Sequence, residues 1–225
     1  MMNINVLQYL ESSVNKVPNK IAFIDQKNQI SYKVLSLSSK RIGSEIYRKT
    51  NGQIRQPVLV FVDRNIESLV SFMAVAYSGN FYVPIDIKMP KTRVELILKT
   101  LQPLAMIVTK ESKSFSEKVA PKLITIDYEE NSKGGTIDEE ILKDIRNKII
   151  DKDPIYATFT SGSTGIPKGV LTCHQSVVDM TEALCETFGF SEKNIFGNQN
   201  PFYFDASIKD IYSSLKCGST MHILP

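Results

Sequence analysis

Runs of consecutive apolar residues recur along the chain, and they predict buried strands. The clearest runs lie at residues 57–62 and 104–108, where apolar side chains follow one another without a polar interruption. A strand has this pattern when both of its faces are covered, which is typical of parallel sheets. Further strands are predicted at residues 21–25, 81–83, 123–126 and 155–160.

Amphipathic or wholly apolar stretches separate these strands, and they predict helices. In the first half of the chain the predicted helices cover residues 31–49, 66–77 and 92–101. Another helix is predicted from about residue 174. Its apolar stripe, at three- and four-residue spacing, consists of Val177, Met180, Leu184 and Phe188. Repeated alternation of strand and helix implies right-handed βαβ units, so the sequence predicts an α/β fold with mostly parallel sheets flanked by helices.

The most polar part of the chain covers residues 127–153. It contains several acidic pairs and two adjacent glycines, and its apolar residues are sparse. We expect a surface excursion with one short amphipathic helix that carries Ile141, Ile145 and Ile149.

Charge and composition argue against several classes of binding partner and structural site. The 225 residues include 27 basic and 24 acidic side chains, and a net charge of +3 is too small to favour nucleic acid. Three cysteines without a C-x-x-C pair and two histidines support neither a disulfide framework nor a metal site. The start lacks a signal peptide, and the longest apolar run, residues 69–77, is too short to span a membrane. We therefore expect a cytoplasmic protein.

One segment has the composition of a polyphosphate-binding loop. Glycines let the backbone approach a ligand closely, and successive N–H groups in such a turn form an anion-binding nest. Hydroxyl groups donate to phosphate oxygens, and a lysine supplies a mobile positive charge. The segment follows the strand at 155–160 and contains Thr160, Ser161, Gly162, Ser163, Thr164, Gly165, Ile166, Pro167, Lys168 and Gly169.

The best-known loop of this kind, G-x-x-x-x-G-K-[ST], does not fit here. Pro167 stands where the second glycine must be, and Gly169 stands where the magnesium-binding hydroxyl must be. From composition alone, an ordinary surface turn without a ligand is an equally good interpretation.

The complete string at 160–169 resembles the phosphate loop of the adenylate-forming superfamily, which includes acyl-CoA synthetases, luciferases and the adenylation domains of nonribosomal peptide synthetases. Residues 77–86 and 30–35 resemble two further blocks of that family, in the same order. The resemblance implies that this loop orients the β- and γ-phosphates of ATP while a carboxylate attacks the α-phosphorus. It assigns phosphate binding to residues 160–165 and to Lys168, which is also the catalytic candidate.

Residues 202–207 resemble a block of the amino-acid-activating members. There the aspartate, here Asp205, holds the α-ammonium of the substrate, and Ala206 adjoins it. Lys209 matches a position that lines the side-chain pocket, where a lysine would suit an acidic substrate. Two simpler interpretations stay open: Asp205 as the N-cap of a helix with Ile208, Ile211 and Leu215 on its buried face, and Lys209 as a solvated helical lysine.

Taken over residues 1–225, the resemblance implies an incomplete N-terminal part of the large subdomain of an adenylate-forming enzyme, without its C-terminal subdomain. The ligand for Mg2+, the ribose-binding aspartate and a second catalytic lysine would lie later in the chain, so we expect little activity from this piece alone. The whole enzyme would form aminoacyl-AMP and pass the aminoacyl group to phosphopantetheine on a peptidyl or acyl carrier protein. An acyl-CoA or aryl-acid ligase and a truncated, non-catalytic module are the alternatives.

Overall fold

The computed structural model describes residues 5–160 and 167–225. Nine helices and ten strands lie within these two ranges. The helices are α1 Leu7–Lys16, α2 Tyr32–Lys49, α3 Ile66–Tyr77, α4 Lys91–Leu101, α5 Lys110–Val119, α6 Tyr128–Gly134, α7 Glu139–Lys148, α8 His174–Phe188 and α9 Ala206–Cys217. The strands are β1 Ile21–Ile24, β2 Gln29–Ser31, β3 Pro57–Val62, β4 Phe81–Asp86, β5 Ala105–Val108, β6 Ile124–Asp127, β7 Pro154–Thr160, β8 Lys168–Cys173, β9 Ile195–Asn198 and β10 Thr220–Ile223.

The larger sheet has the strand order β6-β5-β3-β4-β7-β8 and is parallel except for the pairing of β7 with β8. Its central strand β3 is buried along its whole length. Val58 and Val60 pack into one apolar cluster, whereas Leu59 and Phe61 pack into another. Both faces of the sheet are therefore covered, which explains why β3 is apolar at every position. The strand order and pairing confirm the predicted mostly parallel α/β architecture.

The smaller sheet has the order β2-β1-β10-β9. Strand β1 pairs in parallel with β10, and Phe23 lies opposite Met221. The Thr220 hydroxyl donates to the Ile21 carbonyl at 2.7 Å across 199 residues of chain. This sheet thus joins two distant parts of the sequence.

A buried pair of tyrosines connects α9 to the larger sheet. The hydroxyls of Tyr82 on β4 and Tyr212 on α9 lie 3.1 Å apart, and the Tyr82 ring stacks on Phe72 with 4.1 Å between ring centroids. Burial raises the pKa of both tyrosines well above the usual value, so both hydroxyls stay neutral. The pair connects α9 to the amino-terminal part of β4.

The polar stretch at 127–153 differs from its prediction. It contains two helices rather than one, because α6 precedes α7. The Asp127 carboxylate accepts from the Glu130 backbone N–H at 2.9 Å and so caps α6. An apolar-stripe criterion cannot find α6, since its buried residues are Asn131 and Ser132.

The predicted stripe on α8 is also partly wrong. Phe188 is 64% exposed, and Met180 and Leu184 are only partly buried. The residues that α8 buries besides Val177 are His174, Val178, Thr181 and Cys185. Helix α8 therefore turns a different face to the core, because small and polar side chains fit where it packs.

Helices α2 and α3 approach closely at Gly43. A Cβ atom there would lie 2.9 Å from both the Ala74 carbonyl oxygen and the Tyr77 Cβ. We expect Gly43→Ala to lower the free energy of unfolding by about 1–3 kcal/mol, because both contacts involve atoms that cannot move aside without shifting a helix. Urea unfolding followed by circular dichroism measures the change.

Gly134 provides the matched control, because it also lies in a helix but has no heavy atom within 4 Å of its Cβ position. Gly134→Ala should leave stability unchanged or raise it by up to about 1 kcal/mol through the lower backbone entropy of alanine. Equal effects of the two substitutions would contradict the close approach of α2 and α3.

No helix in the parts of the chain that the structure describes combines the length and the apolar character needed to cross a bilayer.

Candidate functional site

A cleft of about 830 Å³ opens at the carboxyl ends of β4 and β7. These strands are parallel neighbours, with Tyr82 opposite Tyr156. Ligands of open α/β sheets bind outside the carboxyl ends of the strands, because the loops that follow the strands meet there. The lining residues are Pro84, Asp86, Lys88, Met89, Pro90, Arg93, Ile97, Thr158, Phe159, Thr160, Val170, Tyr203, Phe204 and Asp205.

Asp205 reaches this cleft from the turn before α9. Its side chain is exposed, and it makes no capping hydrogen bond to the helix. Asp205 therefore precedes α9, as the N-cap interpretation expects, but its carboxylate does not serve as the cap. The residues of the expected buried face, Ile208, Ile211 and Leu215, are all buried.

The charge of Asp205 acts on Tyr156, a residue of β7. Burial raises the pKa of Tyr156, a hydrogen bond with Thr172 opposes the rise, and the Asp205 carboxylate adds to it. The Asp205 carbonyl accepts from the Ile208 backbone N–H at 3.0 Å, but its carboxylate has neither a hydrogen-bond nor an ion-pair partner among the described residues. Its negative charge is therefore available to a ligand in the cleft.

Thr160 and Lys168 face each other across the antiparallel pair formed by β7 and β8. Both residues are exposed, and Thr160 lines the cleft. The predicted phosphate-binding residues Ser161, Gly162, Ser163, Thr164 and Gly165 lie outside the described residues. The structure thus brings Thr160 and Asp205 to one cleft, with Lys168 beside Thr160.

Ala206 and Lys209 lie on the first turn of α9, directly after Asp205. Ala206 is partly buried and Lys209 is exposed. Neither residue is among the described residues that line the cleft. The helix places Lys209 on the same side as Asp205, one turn further along, because residues four apart share a helix face.

Arg93 is a cleft residue whose role the sequence did not reveal. Its Nη2 donates to the Phe159 carbonyl at 3.3 Å, and its buried Nε has no hydrogen-bond partner within the described residues. Together with Lys88, it gives the cleft two cationic side chains beside the acidic Asp86 and Asp205. A guanidinium with unpaired donors fits an anionic group such as a phosphate or a carboxylate.

A second cavity, of about 340 Å³, lies between α1, α2, α3 and α7. Four of its charged side chains are already paired with one another, through Arg146 with Glu11 at 2.8 Å and Lys40 with Glu139 at 3.1 Å, and Lys143 also lines it. Burial raises the pKa of Glu11, and Arg146 opposes that rise. This cavity therefore offers fewer free charges than the cleft, which is the better candidate for a polar ligand.

Comparison with known families decides the membership of the chain. The model of the AMP-binding enzyme family matches residues 10–225. The chain belongs to this family. The segments at 160–169 and 202–207, which resemble blocks of the adenylate-forming enzymes, lie within the matched region.

Individual relatives place the chain further within the AMP-binding family. A D-alanine–D-alanyl carrier protein ligase of Listeria monocytogenes is 30% identical over 224 residues, which cover 98% of this chain and 43% of the relative. Tyrocidine synthase 1 of Brevibacillus parabrevis is 25% identical over 222 residues, which cover 98% of this chain and 20% of the relative. The chain thus spans less than half the length of these relatives.

The fold also matches solved structures. A crystal structure of the nonribosomal peptide synthetase FmoA3, in a form with bound alpha-methyl-L-serine-AMP, superposes with a TM-score of 0.87 at 18% identity. The match covers 99% of this chain and 24% of that one. This similarity confirms that the architecture is that of the N-terminal part of an adenylate-forming enzyme.

The described residues differ in how well they suit the two cofactors implied by the AMP-binding family. The unpaired donors of Arg93 and the exposed Lys88 and Lys168 suit the anionic phosphates of ATP. Within residues 5–160 and 167–225, no group of three or more His, Cys, Asp or Glu side chains is arranged to hold a metal ion. Mg2+ prefers carboxylate, water and phosphate oxygens.

Proposed function

We propose that the whole protein to which this chain belongs is an ATP-dependent ligase that activates an amino acid. It joins the amino acid to ATP, forms aminoacyl-AMP and pyrophosphate, and passes the aminoacyl group to the phosphopantetheine thiol of a carrier protein. One observation carries the proposal: Asp205 and Thr160, from two separate sequence blocks, line the same cleft. Membership of the AMP-binding family and the similarity to carrier-protein ligases support it.

ATP is the first substrate in this proposal. Its β- and γ-phosphates lie against the segment that links β7 to β8, formed by Thr160, Ser161, Gly162, Ser163, Thr164 and Gly165. Lys168 lies beside this segment and offsets negative charge as pyrophosphate departs, which is its catalytic role. The substrate carboxylate attacks the α-phosphorus, so one P–O bond forms as the bond to pyrophosphate breaks. Mg2+ supplies further charge neutralisation when it is bound with ATP.

The amino acid is the second substrate. Its α-ammonium pairs with the Asp205 carboxylate, which has no other partner among the described residues, and Ala206 follows Asp205 on the first turn of α9. A carboxylate offers an ammonium a charge-assisted hydrogen bond that a neutral group cannot match. Lys209 is exposed one helical turn away, and its charge favours an acidic substrate side chain.

Exchange of labelled pyrophosphate into ATP by the whole protein tests this function. We expect exchange with at least one amino acid, and at least about 100-fold less with the matched analogue that lacks the amino group, since the Asp205 carboxylate would then lose its partner. A panel of acidic and neutral amino acids tests the proposed preference set by Lys209. The matched control is the same protein with ATP and no amino acid.

Each alternative predicts a different result. Equal exchange with the amino acid and with its des-amino analogue would overturn amino acid activation and identify an acyl-CoA or aryl-acid ligase. No exchange with any carboxylic acid, despite ATP binding, would identify a non-catalytic module.

A further inference from the structure

Two of the three cysteines face each other between α8 and α9. The Sγ atoms of Cys185 and Cys217 are 3.6 Å apart, although 32 positions separate them in sequence. Both are free thiols. Cys185 is buried at 7% exposure, whereas Cys217 is partly exposed, so a small reagent can reach one sulfur of the pair.

The two sulfurs are close enough to bond with a small movement. A disulfide has an S–S distance of about 2.05 Å, so closing the gap needs a displacement of about 1.5 Å, which side-chain rotation and a slight helix shift provide. Both residues lie in regular helices that pack against each other, which keeps the sulfurs adjacent. The third cysteine, Cys173, lies at the end of β8, and its Sγ is 3.3 Å from the Ser176 hydroxyl.

The surroundings of the pair favour an uncharged product. Burial raises the pKa of the Cys217 thiol to about 12, and the adjacent Cys185 adds to the rise. The Cys217 thiol is therefore mostly neutral at pH 7, so it reacts slowly there and faster at alkaline pH, where more thiolate is present. A disulfide carries no charge, so burial does not penalise it. At Cys173 burial also acts to raise the pKa, but hydrogen bonds from Ser176 and Gln175 outweigh it and lower the pKa.

We propose that Cys185 and Cys217 are a redox-sensitive pair that forms an intramolecular disulfide when a low-molecular-weight disulfide is the oxidant. The Cys217 sulfur attacks the reagent as a thiolate and forms a mixed disulfide, releasing one small thiol. The Cys185 sulfur then attacks Cys217, which releases the second small thiol. The protein loses two hydrogens and two electrons, and the reagent gains them.

The cross-link would join α8 and α9 near their C-terminal ends. Helix α9 begins directly after Asp205, and α8 follows β8, the strand that begins with Lys168. A disulfide between Cys185 and Cys217 closes the loop of chain that separates them by 32 positions. By closing a loop of this size, it should raise Tm by several degrees, with about 10 °C as the upper estimate.

Incubation of the folded chain with oxidised glutathione at mildly alkaline pH tests the pair. We expect Cys173→Ser, which retains only the two paired cysteines, to lose both free thiols and to become lighter by two hydrogens in intact-mass spectrometry. Its Tm should rise, and reduction with dithiothreitol should restore both values. Peptide mapping identifies the Cys185–Cys217 bond.

Two further variants distinguish formation of the Cys185–Cys217 bond from nonspecific oxidation. Cys217→Ser and Cys185→Ala, each combined with Cys173→Ser, should keep a single thiol that is glutathionylated or unreacted and should show no rise in Tm. The proposal is overturned if folded Cys173→Ser keeps two thiols after equilibration with the oxidant. A bond found only between separate molecules overturns it as well.

Discussion

Replacing Asp205 by alanine is expected to lower amino-acid-dependent pyrophosphate exchange by the whole protein at least about 100-fold in kcat/KM, because the substrate ammonium would lose the carboxylate with which it is proposed to pair. Asp205 makes no capping hydrogen bond to α9. Its loss should therefore leave the helix and the overall stability nearly unchanged. Asp205→Asn, which keeps the shape and removes the charge, should lose most of the same activity.

Two controls test whether the loss of exchange comes from the lost contact with the substrate amino group. Asp179→Ala removes an exposed carboxylate from α8 and should leave exchange unchanged. ATP binding, measured without an amino acid, should survive Asp205→Ala, because the proposed phosphate-binding residues lie between β7 and β8. Unchanged exchange in Asp205→Ala would refute the assigned role, and a parallel loss of ATP binding would point to a distorted cleft instead.

Acidification is expected to destabilise the folded chain through His174. Burial lowers the pKa of His174 from 6.5 to about 4, the Arg146 charge lowers it further, and Asp153 opposes the shift. The Val6 backbone N–H donates to His174 Nδ1 at 3.4 Å, which requires that this nitrogen be unprotonated. Because the fold favours the neutral ring, this contribution is present above pH 6.5 and is lost as the pH falls toward 4. The loss should reach about 3 kcal/mol.

Urea unfolding at a series of pH values isolates this contribution. His174→Asn keeps an acceptor near Nδ1 but cannot take up the proton, so its stability should fall less steeply than that of the unsubstituted chain. Carboxyl groups titrate in both proteins, so their contributions cancel in the difference between the two unfolding free energies. His222→Asn retains His174 and should show the full loss. Parallel curves for the unsubstituted chain and His174→Asn would show that the ring is not buried in its neutral form.

The sequence predicted the sheet core because local composition determines it. Strand β3 and helix α3 have the predicted bounds, 57–62 and 66–77, since β3 is apolar throughout, α3 is mostly apolar, and all their residues except Glu67 are buried. Helices with few apolar residues were missed. The capping box of α5, in which Thr109 and Ser112 satisfy each other's backbone groups, gives no apolar periodicity.

The candidate site was only partly accessible from the sequence. Thr160 and Asp205 could be assigned because each lies in a distinctive short string, yet nothing in the strings shows that they share a cleft. The role of Arg93 depends on the carbonyl of Phe159, which comes from a different strand. Likewise, the proximity of Cys185 and Cys217 depends on helix packing and has no signature in their spacing.

The pairing of β1 with β10 has a consequence for synthesis of the chain on the ribosome. Strand β1 emerges early, but its parallel neighbour is 199 residues away. At translation rates of 5–20 residues per second, β1 waits about 10–40 s for that neighbour. Meanwhile the short β2 is the sheet neighbour available to it, and an isolated two-stranded hairpin is marginally stable. Nascent chains should therefore recruit chaperones at this exposed strand until β10 has left the exit tunnel.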